Sequence, residues 1–145
     1  MARARIPDAD GVAALGAARA AVATVVDTGD RNGAGGPAAA DQAALAALLP
    51  RPVLAMAVRY SLQVLAERAK GNTVEVRVPP FGAIQCIEGP GHTRGTPPNV
   101  VEMDALTWVA LATGDLAWES GIESGSIHAS GQRADLRGYV PVAHL

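Results

Sequence analysis

Residues 99–131 read NVVEMDALTWVALATGDLAWESGIESGSIHASG, and this stretch decides the fold because its junctions carry polar or glycine signals. The valine pair at 100–101 suits the pleated, half-buried surface of a strand. Asp104 can accept hydrogen bonds from the first free amides of a helix, and residues 105–113 form an apolar run at helical spacing. Gly114 suits the left-handed residue that ends a helix. The first half of the stretch therefore predicts a strand followed by a helix.

The second half of the stretch predicts a shorter helix and a further strand. Asp115 is expected to cap a short helical piece around Trp118. Residues 126–130 are expected to form a strand that ends at Gly131. No residue here belongs to a recognisable catalytic motif, which favours binding over chemistry.

Three helices are predicted before this stretch. Aliphatic residues recur every three or four positions in 8–26, and an alanine-rich run follows at 39–49. Pro52 suits the first turn of a third helix that continues to about Lys70, and Gly71 suits its end.

The length of 145 residues predicts a single domain. Residues 1–50 are interpreted as an N-terminal helical extension, and residues 51–145 as the core. The glycine-rich, polar residues 28–37 predict a flexible loop within the extension.

The third helix is strongly amphipathic, and its apolar stripe allows two interpretations. Packing into the core explains the stripe most simply. Alternatively, part of it faces a ligand cavity, because a thioether and a phenol can line an adaptable apolar pocket. Met56 and Tyr60 are the candidates for that second role. The stripe consists of Leu54, Val58, Leu62 and Leu65, widened by Val53, Met56, Tyr60 and Val64.

Two strands are predicted after this helix. Residues 72–78 alternate between valines and polar side chains, which is typical of a strand with one buried face. Two prolines end it, Phe81 turns the chain, and residues 83–87 form a partner strand. Both faces of this partner are largely apolar, so we expect it to be central in the sheet or covered on both sides.

The polar loop at 88–99, EGPGHTRGTPPN, also allows two interpretations. It is either a long rigid connection or an ordered loop at the mouth of a site, where His92 and Arg94 meet a polar or anionic group. Glu102 could pair with Arg94 and brace the loop.

The C-terminal residues predict only minor elements. Residues 133–137 suit one helical turn that Gly138 ends, and residues 139–140 suit a final edge strand. No serine has the paired glycines of a nucleophile elbow, and the three histidines and the single cysteine show no metal spacing. A Cys86/His92 nucleophile pair is the remaining enzymatic candidate, but a thiol in an apolar strand tends to be inert.

Composition excludes several classes of protein. The net charge of −2 and the lack of a Lys/Arg cluster argue against a nucleic-acid surface. One cysteine allows no intramolecular disulfide and fits a reducing compartment. No secretory signal and no run of about 20 apolar residues is apparent, so we expect a cytoplasmic protein without a membrane span.

The run MDALTWVALATGDLAWESGIESGSIHASG resembles the sterol carrier protein 2 (SCP2-like) family. The shared pattern is an apolar helix ending in Thr113-Gly114, a short second helix, then Ser124-Gly125, an alternating strand and Gly131. The arrangement with the EGPGHTRGTPPNVVE loop is also similar to a bacterial branch labelled as sterol carrier family proteins.

The resemblance implies an α+β domain with about five mostly antiparallel strands and helices packed on one face. It implies a non-enzymatic protein, without cofactor or metal, that holds a lipid or other apolar small molecule between helices and sheet. The alternative is an interaction or regulatory module with a solid core that acts through the 88–99 loop, with a protein partner or a homodimer. By position, the implied ligand-binding residues are Val76, Val78, Phe81, Ile84, Cys86, Leu106, Val109, Ala110 and Trp118, beside Met56 and Tyr60.

Overall fold

The computed structural model describes residues 4–28, 39–90 and 98–143. His92, Arg94 and nearly all of the predicted flexible loop at 28–37 lie outside these residues, so the predictions made for them stay predictions.

Five helices are present in the described part of the chain, close to the predicted positions. Asp104 caps the fourth, since its side chain accepts a hydrogen bond of 2.9 Å from the amide of Thr107. Gly114 ends that helix in the left-handed conformation with φ 90°. The helices are α1 Asp8–Thr28, α2 Ala39–Leu48, α3 Arg51–Arg68, α4 Ala105–Thr113 and α5 Trp118–Glu123.

The described residues contain four strands in one mixed sheet, which confirms the predicted α+β class with one strand fewer than expected. The strand order is β2-β1-β3-β4. The β1–β2 and β3–β4 pairs are antiparallel and the β1–β3 pair is parallel. The strands are β1 Val74–Val78, β2 Gly82–Cys86, β3 Val100–Glu102 and β4 His128–Ser130.

The prediction that the second strand is central or covered on both sides was wrong. β2 forms an edge of the sheet, and Ala83 and Gln85 are exposed on its outer face. Short apolar side chains do not reveal on their own whether a strand has one neighbour or two. Two strands are also shorter than predicted, since β1 begins at Val74 and β4 at His128.

Two local predictions near the C-terminus were also wrong. Ala117, rather than Asp115, is the N-cap of α5, and no side chain bonds to that helix start. Residues 139–140 form no edge strand, because Val140 makes only an isolated bridge with Arg137.

One hydrophobic core joins the helices to one face of the sheet. The three valines of β1 are fully buried, and the polar residues between them are half-buried on the opposite face. Helix α1 contributes to the same core through Leu15, Ala18 and Val22. Burial of such side chains is the main source of stability, so α1 is part of the packed structure.

By length and composition, α1 is the one described single helix that could cross a membrane, with mean hydropathy 1.4 over residues 8–27. The bent pair formed by residues 41–48 and 51–68 adds a second such segment if the pair is taken as one span. Residues 8–27 are not an uninterrupted apolar run, since they include Asp10 and Arg19, so the expectation that no segment spans a membrane stays a prediction. The mean hydropathy of α1 is high because the helix contains many alanines, although their side chains are small. A buried helix of a soluble core passes the same test.

Candidate functional site: a cleft beside Trp118

Most of the residues predicted to bind a ligand are packed together in the closed core. Val76, Val78 and Val109 have no exposed surface, and Leu106 is 6% exposed. Ile84 and Ala110 are partly buried against the same cluster. The structure therefore brings the predicted sheet and helix residues together, between α3, α4 and the inner face of the sheet.

Trp108, which the sequence did not single out as a ligand contact, occupies the space between α4 and α3. It has no exposed surface, and its Nε1 donates a hydrogen bond of 2.8 Å to Oγ of Ser61. The Ser61 hydroxyl in turn donates to the carbonyl of Ala57 at 2.7 Å. The polar atoms of this buried pair are thus satisfied, as a stable interior requires.

Met56 and Tyr60 have different surroundings on α3. The Met56 side chain is 38% exposed on the outer surface of α3. Tyr60 is buried, and its ring packs against Gly11 of α1. Its hydroxyl donates to Asp8 at 3.0 Å, and burial first and this carboxylate second raise the pKa of the phenol. Tyr60 therefore serves the contact between α1 and α3.

Phe81 is held at the turn between β1 and β2 by two arginines of α3. The guanidinium of Arg51 lies 5.1 Å from the ring centroid, a cation–π distance. Arg59 Nε donates a hydrogen bond of 3.0 Å to the Phe81 carbonyl. Both contacts fix the turn to the helix.

Cys86 lies on the inner face of β2, where its register partner is Val74. Burial raises the pKa of its thiol to about 11, so the thiol stays protonated at neutral pH. Only a thiolate is a strong nucleophile, so this position does not activate Cys86. Within the described ranges, no group of three His, Cys, Asp or Glu side chains could hold a metal ion.

An open cleft of about 400 Å³ lies at Trp118, where three segments meet. Gly114 and Leu116 line it from the turn after α4, Ala117 and Glu119 from the start of α5, and the C-terminal segment closes the third side. The lining residues are Gly114, Leu116, Ala117, Trp118, Glu119, Arg137, Gly138, Val140 and Pro141. Trp118 is thus the one residue of the predicted lining that borders this cleft.

The C-terminal wall of the cleft is fixed to the end of α4. The amides of Val142 and Ala143 both donate to the carbonyl of Ala112, at 2.9 and 3.2 Å. Pro141 packs directly over Gly114, where a Cβ would lie 3.5 Å from the proline ring. The short C-terminal segment is therefore a wall of the cleft, a role that sequence spacing did not reveal.

Ion pairs surround the cleft. Arg19 of α1 holds Asp115 with two hydrogen bonds of 2.9 and 2.8 Å, and this contact lowers the pKa of Asp115. Arg137 is held by Asp135, with Nη2 to Oδ2 at 2.6 Å, which lowers the pKa of Asp135. Both arginines are therefore committed to carboxylates at the cleft margin.

The predicted brace of the polar loop has a different neighbour in the described residues. Glu102 lies beside Arg77 in the parallel register of β3 and β1. The pKa of Arg77 is raised mainly by its hydrogen bond to Glu75, with a smaller contribution from Glu102. The pairing of Glu102 with Arg94 stays a prediction.

Residues 50–142 match the protein family described as "Bacterial SCP ortholog". The comparison with curated proteins found no match. The matched region includes α3, all four strands, both later helices and the walls of the cleft. Because it covers well over half of the chain, the chain belongs to the bacterial SCP ortholog family, whose members are sterol carrier protein-like.

Proposed function

We propose that this protein binds and carries a lipid or other apolar small molecule without chemical conversion, and that the ligand enters at the Trp118 cleft. The observation that carries this proposal is the cleft itself. Its volume of about 400 Å³ falls within the range of small-molecule sites, roughly 300–1,000 Å³. An indole, three aliphatic side chains and a proline supply apolar contact area, while a carboxylate and a guanidinium lie in the same lining.

Membership of a carrier-like family and a protonated, buried Cys86 support a non-enzymatic role. The single buried cysteine also supports a reducing, cytoplasmic location as part of the proposal. Extension of the ligand from the cleft toward Val109 and the inner face of the sheet remains a prediction.

The second candidate is an interaction module with a solid core. The observation that favours it is Trp108, which fills the space between α3 and α4 with its hydrogen bond satisfied. This candidate places the contact surface at the 88–99 loop, and it requires a protein partner or a second copy of the chain.

Native mass spectrometry of the gently purified chain, followed by titration with 1-decanol, separates these candidates. Ala117 is exposed and lines the cleft, so Ala117→Phe should occupy the cleft volume and abolish binding. Ala46→Phe on the exposed side of α2 adds the same ring away from the cleft and is the matched control. Equal binding by both variants would refute the cleft as the site, and absence of any binding would favour the interaction module.

A further inference from the structure

A buried hydroxyl without a partner lies just before β1, beside the chain that leaves β2. Thr73 is 1% exposed, and its Oγ1 is the one buried side-chain nitrogen or oxygen in the described ranges that makes no hydrogen bond. Burial of an unpaired hydroxyl is costly, so native structures supply such a group with a partner, often a water molecule or an ion. The Thr73 hydroxyl therefore calls for a partner from outside the described chain.

A guanidinium approaches the same point from the C-terminal segment. A Cβ on Gly89 would lie 3.0 Å from Oγ1 of Thr73 and 3.4 Å from Nη1 of Arg133. Both atoms therefore border one point, and they lie no farther apart than the sum of these two distances. Across residues 4–28, 39–90 and 98–143, the Arg133 side chain makes no hydrogen bond or ion pair, and only its backbone amide donates.

One buried amide fixes the two segments that carry these groups. Asn99 is 6% exposed, and its Nδ2 donates a hydrogen bond of 3.0 Å to the carbonyl of Thr73. Its Oδ1 accepts a hydrogen bond of 2.9 Å from the amide of Arg133. The backbones of Thr73 and Arg133 are thus positioned by the same side chain, as a preformed site requires.

The chain opposite Thr73 has an unusual backbone conformation. Ile87 has a φ of 69°, a left-handed value that is rare for a β-branched residue. Its amide donates to the carbonyl of Ala69 at 2.7 Å, and its carbonyl accepts from the amide of Thr73 at 3.2 Å. Gly89 follows with a φ of 143° and leaves open the space between the hydroxyl and the guanidinium. Strained backbone of this kind is concentrated at ligand sites, which supports a site at this position.

We propose that Thr73 and Arg133 form a binding site for a small oxyanion, a carboxylate or a phosphate. The hydroxyl of Thr73 donates a hydrogen bond to one oxygen of the anion, and the guanidinium of Arg133 pairs with the others. A guanidinium matches carboxylates and phosphates because its N–H groups form two parallel hydrogen bonds with them. A water molecule would satisfy the hydroxyl but would leave the charge of Arg133 unpaired, whereas an anion serves both groups.

Arg133 sets the sign of this site. The exposed charges next to the bonded pair Ala69 and Ile87 are Lys70 and Glu88, which are opposite and offset each other. Because Arg133 is also exposed, rotation of its flexible side chain gives an anion access to the hydroxyl. None of these residues lines the Trp118 cleft, so the anion site goes beyond the proposed function and does not depend on it.

The test follows the melting temperature of the full chain by circular dichroism, with inorganic phosphate or acetate added at constant ionic strength. At ten times its dissociation constant, phosphate should raise the melting temperature by about 3–5 °C. Arg133→Gln should lose most of this rise. Thr73→Val should also lose it, and without anion it should melt above wild type because it removes the unpaired hydroxyl. Thr73→Ser keeps the hydroxyl and should keep the response.

Arg51→Gln is the matched control, since it removes the same charge from an exposed arginine at the far end of α3. It should respond to phosphate as wild type does. No rise in wild type, or an equal rise in Arg133→Gln and Arg51→Gln, would overturn the site and leave the hydroxyl to a water molecule.

A third anion, monobutyl phosphate, identifies the source of the group. A stronger response than to phosphate would mark the anion as the head group of a larger ligand, and an equal response would mark it as a free ion. Binding of 1-decanol by these variants reports on the Trp118 cleft alone, so failure of the anion site and failure of the proposed function are distinguishable.

Discussion

The two tryptophans lie ten positions apart and have opposite surroundings. Trp108 has no exposed surface, and its indole nitrogen is bonded to Ser61 between α4 and α3. Trp118 is also mostly buried at 7% exposure, but one side of it borders an open cleft of about 400 Å³. The first indole closes the interior and the second forms the wall of an opening. Under the proposed function, we expect a ligand to enter at Trp118, where the core need not unpack.

The residues that surround the two indoles explain the difference. Trp108 is enclosed by α3 and α4, and α1 packs over both helices, with Ala18 fully buried. Trp118 borders the cleft together with the C-terminal segment, which contacts α4 through Ala112. Long helices can seal a core more completely than a short segment held by two hydrogen bonds.

The largest expected effect comes from truncation of the two indoles. Trp108→Ala should lower the free energy of unfolding by about 3–5 kcal/mol, because it leaves a buried cavity and removes the donor that the Ser61 oxygen accepts from. Trp118→Ala should cost at least about 1 kcal/mol less, since solvent can enter from the cleft. Urea unfolding followed by circular dichroism measures both. Equal costs would contradict the contrast between a closed and an open site.

A second comparison, with smaller expected effects, uses one glycine in the packed core and one in α5, the helix that begins at Trp118. A Cβ on Gly11 would lie 2.1 Å from Cγ of Tyr60, against a rigid ring, whereas on Gly121 it would lie 2.2 Å from Cδ1 of Ile127, the flexible end of a side chain. Gly11→Ala should therefore destabilise the fold by about 3 kcal/mol and Gly121→Ala by about 1 kcal/mol.

Gly16→Ala is the control for this pair, measured by the same urea unfolding. A Cβ on Gly16 would have no neighbouring atom within 4 Å, so alanine should stabilise α1 by about 0.5–1 kcal/mol through its higher helix propensity. A neutral Gly11→Ala would show that α1 does not pack on Tyr60 as described. A Gly121→Ala cost equal to that of Gly11→Ala would remove the difference between the two regions.

The smallest effect concerns pH at the cleft margin. The hydrogen bonds from Arg19 lower the pKa of Asp115 below its ordinary value of 3.8. A carboxylate with a lowered folded pKa stabilises the fold above its unfolded pKa, and this contribution disappears as the pH falls through the folded value. The difference in melting temperature between wild type and Asp115→Asn should therefore be present at neutral pH and vanish in strong acid. A difference that is constant across this range would contradict the ion pair.

The sequence predicted the features that depend on residues close together in the chain. The side chain of Asp104 caps the start of α4, and Gly114 ends the helix because it has no side chain. Both helix ends were predicted correctly. Alternating valines likewise identified β1 and its buried face. These signals depend on neighbours within a few positions, so one sequence contains them.

The rest depends on contacts between distant segments. Composition did not show that β2 is an edge strand, because the number of its neighbours is set by the order of the whole sheet. Gly138 was predicted as the end of a turn, but its position in the same cleft as Trp118 arises from packing across some twenty residues of chain. Tyr60 was a candidate for a ligand pocket, and its contact with Gly11 could not be predicted, because Gly11 lies on α1, a helix that precedes the region matched by the family.

The most direct test follows the two indole N–H signals of the ¹⁵N-labelled wild-type chain during titration with 1-decanol, with Trp118→Phe used to assign them. The account predicts that the signal of Trp118 shifts in a saturable way and that the signal of Trp108 stays in place, because its bond to Ser61 lies in the closed core. A ligand-dependent shift of Trp108 with Trp118 unchanged would contradict it and place the ligand between the helices and the sheet.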